Sequence, residues 1–208
     1  MRAFFALELA PPAQQAAAAL LHALRTQPGA ESCRWVRPEG LHMTLRFLGE
    51  IAPARRPALV RCVTTQLAVL PPFELRLGSV QLFPSPSRPR VVALHLDPVP
   101  PVERLAHALE RGVVAAGFEP ERRSFHGHVT LARLRDTHRC LDLACVEPPP
   151  PSPFEVSEIV LFESQLAAGG SRYFPRERLA LAGCVGAERD ADAFGSPLTR
   201  VLEESKYG

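Results

Sequence analysis

An imperfect internal repeat constrains this chain more than any other feature, because two copies of one supersecondary unit leave few architectures open. Ala3-Phe4-Phe5-Ala6-Leu7-Glu8-Leu9 aligns with Arg90-Val91-Val92-Ala93-Leu94-His95-Leu96, with Ala, Leu and Leu at matching places. Both segments read as short strands. Each runs through proline (Pro11 and Pro12; Pro98, Pro100 and Pro101) into an Ala/Leu-rich stretch of helical character, 13 to 26 and 101 to 116. Each helix then leads to a His-x-Thr-Leu strand, His42-Met43-Thr44-Leu45 and His128-Val129-Thr130-Leu131. The interval from Leu7 to His42 is 35 residues and that from Leu94 to His128 is 34, so the halves agree to within one residue.

The remaining pattern is also α+β. Residues 53 to 70 suit an amphipathic helix, and 73 to 82 alternate as a half-buried strand does. Further strands are expected at 154 to 162 and 173 to 182. The proline-rich stretches 84 to 89 and 147 to 153 read as loops, since proline cannot donate to a sheet ladder. From 186 onward charge is dense and periodicity fades, so 1 to 185 reads as the folded unit and 186 to 208 as a tail. At 46% hydrophobic residues over 208 positions, disorder is not the default. The net charge of +2 sets up no global field, so any basic surface is local. The five cysteines (Cys33, Cys62, Cys140, Cys145, Cys184) are odd in number and lack a C-x-x-C pair, which argues against a disulfide framework or zinc ribbon and for a reducing cytosol. The apolar N-terminal run is broken by Glu8 and then Pro11-Pro12, so it reads as a strand rather than a signal peptide. No stretch has the roughly 18 apolar residues of a membrane span. A cytoplasmic protein without a membrane partner is expected.

Alternate residues of a strand share a face, so His42 and Thr44 look one way while Met43 and Leu45 look the other. His128 and Thr130 repeat this against Val129 and Leu131. If the repeat brings the two strands together, one cleft holds two imidazoles and two hydroxyls, an inventory suited to phosphate chemistry. Histidine serves as acid or base near neutral pH, and hydroxyls donate to non-bridging oxygens. Arg133 is the best candidate for the cation. It lies five residues after His128 and has the wrong parity on a regular strand, so it must sit at the strand end or beyond a bulge. A single His-x-Thr-Leu would be weak evidence, because a histidine on a half-buried strand more often packs than catalyses. Two copies in matched positions differ, since duplicated packing would preserve the apolar positions without His and Thr twice. The His126-x-His128 pair lacks a nearby Asp, Glu or Cys cluster to complete a metal site, so no metal is expected. His22 and His107 fall in the expected helices, His138 in a polar stretch, and His95 on the strand matching Glu8; packing or surface roles suit them. Arg122, Arg123, Arg133, Arg135 and Arg139 surround the second motif.

Trp35-Val36-Arg37-Pro38-Glu39-Gly40-Leu41-His42-Met43-Thr44-Leu45-Arg46-Phe47-Leu48-Gly49-Glu50 and Phe125-His126-Gly127-His128-Val129-Thr130-Leu131-Ala132-Arg133 resemble the two motifs of the two-histidine (2H) phosphoesterase superfamily. Within it, they are most similar to the RNA 2′,3′-cyclic phosphodiesterases, historically 2′-5′ RNA ligases. Leu161-Phe162-Glu163-Ser164-Gln165-Leu166, Gly169-Gly170 and Tyr173 are similar to the family's C-terminal pattern, and the resemblance extends to about residue 183. It implies an α+β, bilobal, pseudo-symmetric duplication over 1 to 185, with two antiparallel sheets facing a central cleft, helices packed outside, and no cofactor or metal. By matching positions, His42 would be the proton donor to the 3′ leaving oxygen and His128 the proton acceptor from water, leaving a 2′-phosphomonoester. Thr44, Thr130 and Arg133 would bind the phosphate and Phe47 would line the pocket. The implied partners are RNA with a 2′,3′-cyclic phosphate end or small cyclic nucleotides, met by a monomer without an obligate protein partner. Alternatives are 2′-5′ ligation of tRNA halves and a non-catalytic RNA-end binding module. The sequence departs from the family at Gly127, where proline is common, and at Gly40, where asparagine is frequent.

Overall fold

Strand β1 (Arg2–Glu8) is buried at every position between its charged ends, because it carries apolar side chains on both faces and is covered on both. The computed structural model describes residues 1–135, 141, 143, 146, 147, 149, 153–167 and 170–183. The expected loop at 147 to 153, the tail at 186 to 208, His138, Arg139, Cys140, Cys145 and Cys184 therefore lie wholly or largely outside the described residues.

After β1 come α1 (Pro11–Arg25), β2 (Cys33–Trp35), β3 (His42–Glu50), α2 (Arg56–Leu67), β4 (Phe73–Phe83), β5 (Val91–Asp97), α3 (Val99–Ala115) and β6 (Val129–Leu134). The order ends with β7 (Phe154–Val156), β8 (Glu158–Ala167) and β9 (Gly170–Ala180). All three helices carry proline in the first turn, where its missing N–H costs nothing. The repeat elements stand where the sequence placed them.

Two expectations change. The single strand expected over 154 to 162 is two strands broken at Ser157, and they do not share a neighbour. β7 pairs with β4, whereas β8 pairs with β1 and β9. The period of two slips at the break: Glu158 stands where the next apolar residue after Phe154 and Val156 would fall, and Ile159 enters the core instead. Instead of two separate sheets, the strands follow one antiparallel path, β7-β4-β5-β6-β3-β1-β8-β9, with β2 added on β6. The middle of the path is joined by a single register pair, Met43 opposite Val129. Because one residue links β7 at one end to β8 near the other, the sheet must curl into a half-barrel.

The main core lies between one face of this sheet and the helices. It includes Leu20, Leu21 and Leu24 of α1, Leu59, Val63 and Leu67 of α2, and Leu105, Leu109 and Val113 of α3. From the sheet come Phe5, Leu7, Met43, Val92, Leu94, Val129 and Leu131, all almost wholly removed from water. A smaller second cluster, Phe4, Ala6, Val160 and Phe162 with Tyr173 against it, occupies the opposite face. This division follows the two-residue period of the strands. Arg46 ties β3 to the helical layer, donating from Nε to Glu110 of α3 at 2.7 Å and from Nη2 to the Glu119 carbonyl at 2.6 Å. Its side chain is 13% exposed, so this pair is less screened than the ion pairs at the surface.

Candidate active site

The β3–β6 junction turns the sequence repeat into one site. Met43 and Val129 face the helices, both fully buried. Their neighbours His42, Thr44, His128 and Thr130 consequently face the other side, half-buried on the open face of the half-barrel. Antiparallel register about Met43–Val129 sets His42 across from Thr130 and Thr44 across from His128.

Beyond each threonine the strand bulges. Ala6 pairs with Thr44 but Phe5 with Arg46, so Leu45 is the extra residue in β3. Ala93 pairs with Thr130 but Val92 with Ala132, so Leu131 is the extra residue in β6. A bulge shifts parity by one. It returns Phe47 and Arg133, each five residues after its histidine, to the histidine face, and both line the same cleft of about 410 Å³ with His42, Thr44 and Thr130. The parity problem posed by Arg133 is solved by this bulge. The same device in both strands delivers an aromatic ring from one and a guanidinium from the other.

Backbone carbonyls fix the tautomers of both histidines. His42 Nδ1 lies 2.7 Å from the Gly40 carbonyl, and His128 Nδ1 lies 2.8 Å from the His126 carbonyl. A carbonyl only accepts, so each Nδ1 carries hydrogen and each Nε2 is left for proton exchange. His42 Nε2 is also 3.2 Å from the Thr44 hydroxyl. Aromatic rings surround His42, with Phe4 and Tyr173 centroids at 5.0 and 4.9 Å and Phe162 at 6.2 Å. Phe83 of β4 backs His128 at 4.7 Å and the exposed His126 at 5.9 Å.

Burial holds the pKa of His42 below the ordinary histidine value, against the opposing pull of the Gly40 carbonyl and the Glu8 carboxylate; Arg133 lowers it further. Glu8 is the register partner of His42 on β1 and is itself held by Arg178 at 2.7 Å. Burial also lowers His128, again opposed by its carbonyl bond, but here His95, Arg133 and His126 all add to the lowering. Glu8 and His95 are matched positions of the sequence repeat. The repeat therefore places an anion beside one histidine and a second imidazole near the other. The Nε2 of His95 is buried and has no hydrogen-bond partner among the described residues.

The cleft also takes in Arg123, one of the basic residues around the second motif, and residues that the sequence did not single out for it: Arg2, Phe4, Ser164, Ser171 and Tyr173. Most of them reach the cleft only through the long-range pairing of β1, β8 and β9, which leaves no local signature. Phe83 was missed for the same reason. His128 stands outside the residues lining this cleft, on the Phe83 side. Gly127 packs tightly: a Cβ there would come within 2.9 Å of Met43 Sδ and 3.3 Å of the Phe125 ring. At Gly40 a Cβ would meet Tyr173 at an ordinary 3.5 Å. Among the described residues no three His, Cys, Asp or Glu side chains converge as metal ligands. No helix among them is long and apolar enough to cross a membrane.

The chain is similar to known proteins. The chain is 32% identical to the RNA 2′,3′-cyclic phosphodiesterase of Escherichia coli (strain K12), over 86% of its own length and 96% of that protein. It is 32% identical to the RNA 2′,3′-cyclic phosphodiesterase of Bacillus subtilis (strain 168), where the match spans 55% of this chain but only 62% of the other. Among solved structures, E. coli LigT complexed with 3′-AMP superposes with a TM-score of 0.70 at 30% identity, covering 86% of this chain and 97% of that one. The model of the 2′-5′ RNA ligase superfamily matches residues 11–167, from the start of α1 to the end of β8. Both histidine motifs, both bulges and the strands that join them fall within that span, and the chain belongs to the 2′-5′ RNA ligase superfamily of two-histidine phosphoesterases.

Proposed function

We propose that the protein hydrolyses 2′,3′-cyclic phosphate ends of RNA to 2′-phosphomonoesters by two-histidine acid–base catalysis without a metal. The observation that carries this reading is the pairing of two His-x-Thr faces, each imidazole fixed through Nδ1 to a backbone carbonyl. That arrangement presents two Nε2 atoms free for proton exchange beside two hydroxyls and a guanidinium. His128 Nε2 takes a proton from water as its oxygen bonds to phosphorus. The bond from phosphorus to O3′ breaks, and His42 Nε2–H protonates the departing oxygen. The phosphate stays on O2′, and proton exchange with solvent resets both rings. Thr44, Thr130 and Arg133 hold the non-bridging oxygens, where charge builds up in the transition state. Phe47, 51% exposed at the cleft, offers a face to the nucleobase.

Outward from the β6–β3 junction, the path runs β5, β4, β7 on one side and β1, β8, β9 on the other. These matched positions support a bilobal pseudo-symmetric duplication with the cleft at its centre, in a single domain over 1 to 185. A monomer in the cytoplasm, acting on RNA ends or small cyclic nucleotides, fits this reading.

The test is incubation of purified protein with a nucleoside 2′,3′-cyclic phosphate, with 2′- and 3′-monophosphate products resolved by chromatography. Only the 2′-phosphate is expected, EDTA should leave the rate unchanged, and His42→Ala and His128→Ala should each remove activity. A 3′-phosphate product, or loss of activity in EDTA, would refute the mechanism. Binding of cyclic-phosphate ends with no product over hours would instead establish a binding module.

A further inference from the structure

We infer that the protein carries an RNA-backbone track outside the cleft, formed by Arg34, Arg135 and Arg25, which receives the strand 5′ to the reacting end. The inference rests on the reading of the cleft as an RNA-end site and adds the part of the substrate that it engages.

The track begins at Arg133. In the β2–β6 register Arg34 stands directly opposite Arg133, and directly opposed residues on paired strands carry their side chains on one face. Arg135 lies two residues beyond Arg133, roughly 6.8 Å further along an extended chain. It is kept in the sheet by its N–H donating to the Ser32 carbonyl at 2.9 Å. Arg25, in the last turn of α1, closes the group: Arg25, Arg34 and Arg135 line one open depression bordered by the half-buried Trp35.

All three guanidiniums are exposed, and none makes an ion pair or side-chain hydrogen bond among the described residues. Glu31 is close in sequence but forms no ion pair with them. Several other cations near the site are instead held in ion pairs. Arg46 is bound by Glu110, Arg123 by Glu121, Arg176 by Glu163 and Arg178 by Glu8 and Glu158. In a chain whose net charge is only +2, three cations in one depression without an ion pair among the described residues are a local concentration of field. Continuity with the phosphate-binding Arg133 selects a polyphosphate strand as the occupant. An acidic peptide would have no reason to begin at the cleft.

The experiment compares a mononucleoside 2′,3′-cyclic phosphate with a short single-stranded RNA carrying the same end, for the wild type and for the triple variant R25Q/R34Q/R135Q. Glutamine is chosen so that no new carboxylate can capture Arg133. Hydrolysis of the mononucleotide should change by less than about two-fold, while kcat/KM for the RNA falls at least ten-fold at low salt. Each lost single-strand phosphate contact should flatten the log–log salt dependence by about 0.7, or roughly 2 for the set. Fluorescence anisotropy with a 2′-phosphate-ended RNA supplies a second readout that needs no turnover. If wild-type protein hydrolyses neither substrate but the variant still loses RNA binding, the active-site reading fails and the track stands. An equal loss on both substrates, an unchanged salt slope, or loss of RNA preference in R2Q/R123Q rather than in the triple variant would overturn the track.

Discussion

Met43 offers the sharpest link between packing and catalysis. It is fully buried, sits opposite Val129 at the only register pair that joins β3 to β6 in the described structure, and lies against Gly127 beside His128. Met43→Ala removes three heavy atoms from a site walled by two strands that other pairings hold in place, so collapse is restricted. The transfer and cavity costs together are about 2–5 kcal/mol. For a domain of this size each kcal/mol lowers Tm by roughly 2–4 °C, giving a fall of about 4–20 °C. Loss of the bolt between the strands should also loosen the spacing of the two histidines, and a displacement of ~1 Å costs on the order of 100-fold in rate. The assay is kcat on a nucleoside 2′,3′-cyclic phosphate at a temperature where urea titration shows each variant folded. Met43→Leu, which conserves volume, should cost less than about 1.5 kcal/mol and keep kcat. Leu59→Ala, fully buried in α2, serves as the control: similar stability loss, normal kcat. If Met43→Ala and Leu59→Ala lose stability equally and both retain full kcat, the junction does not position the histidines and the reasoning is wrong.

Both histidines have their pKa lowered, chiefly by burial, so kcat/KM should be optimal on the acid side of ~6.5. Glu8→Gln removes an anion that raises His42 and should move only the alkaline limb, to lower pH; movement of the acid limb instead would reverse the acid and base assignment. The same depressed values link pH to folding. The unfolded chain binds protons first, so stability is full above ~6.5 and falls as pH drops through the folded values, and His42→Asn should shrink that dependence in urea titrations. Gly112→Ala in α3 gains about 1 kcal/mol of helix propensity, but the new Cβ would lie 2.7 Å from Val63 Cα and 3.1 Å from the Cys62 carbonyl, backbone atoms of α2 that cannot step aside. Overpacking of about 1–3 kcal/mol should dominate, so Tm should drop, and an unchanged or higher Tm would contradict the close helix crossing. Phe47→Ala should leave stability within about 0.5 kcal/mol and raise KM roughly 5- to 100-fold with kcat nearly unchanged, as lost stacking on a base predicts; a kcat effect alone would remove Phe47 from base binding.

The local features of this site were legible because they obey short periods. Strand parity put His42 with Thr44 and His128 with Thr130, and the matched intervals paired the two motifs before any contact was known. Arg133 shows where such reasoning stops. Its parity demanded a bulge, but the location at Leu131 depends on pairing with Val92 and Ala93, across 37 to 40 positions of sequence. Tyr173 and Phe83 were invisible as histidine neighbours because each arrives on a strand that pairs elsewhere, β9 on β8 and β4 on β5. The break at Ser157 left only a one-residue slip of phase, from Val156 packing beside β4 to Ile159 in the β8 side of the core, and a slip of that size does not say which strand each half pairs with. The difference between Glu8 and His95 was visible in the aligned repeat, but only their positions beside the histidines gave it meaning.

The division of labour between His42 and His128 is tested most directly with a 2′,3′-cyclic substrate in which sulfur replaces the 3′ bridging oxygen. A thiolate leaves without protonation, so the substrate no longer needs a general acid. His42→Ala should hydrolyse this substrate at close to the wild-type rate, whereas His128→Ala should remain inactive on it. Rescue of His128→Ala, or rescue of neither variant, would contradict that division.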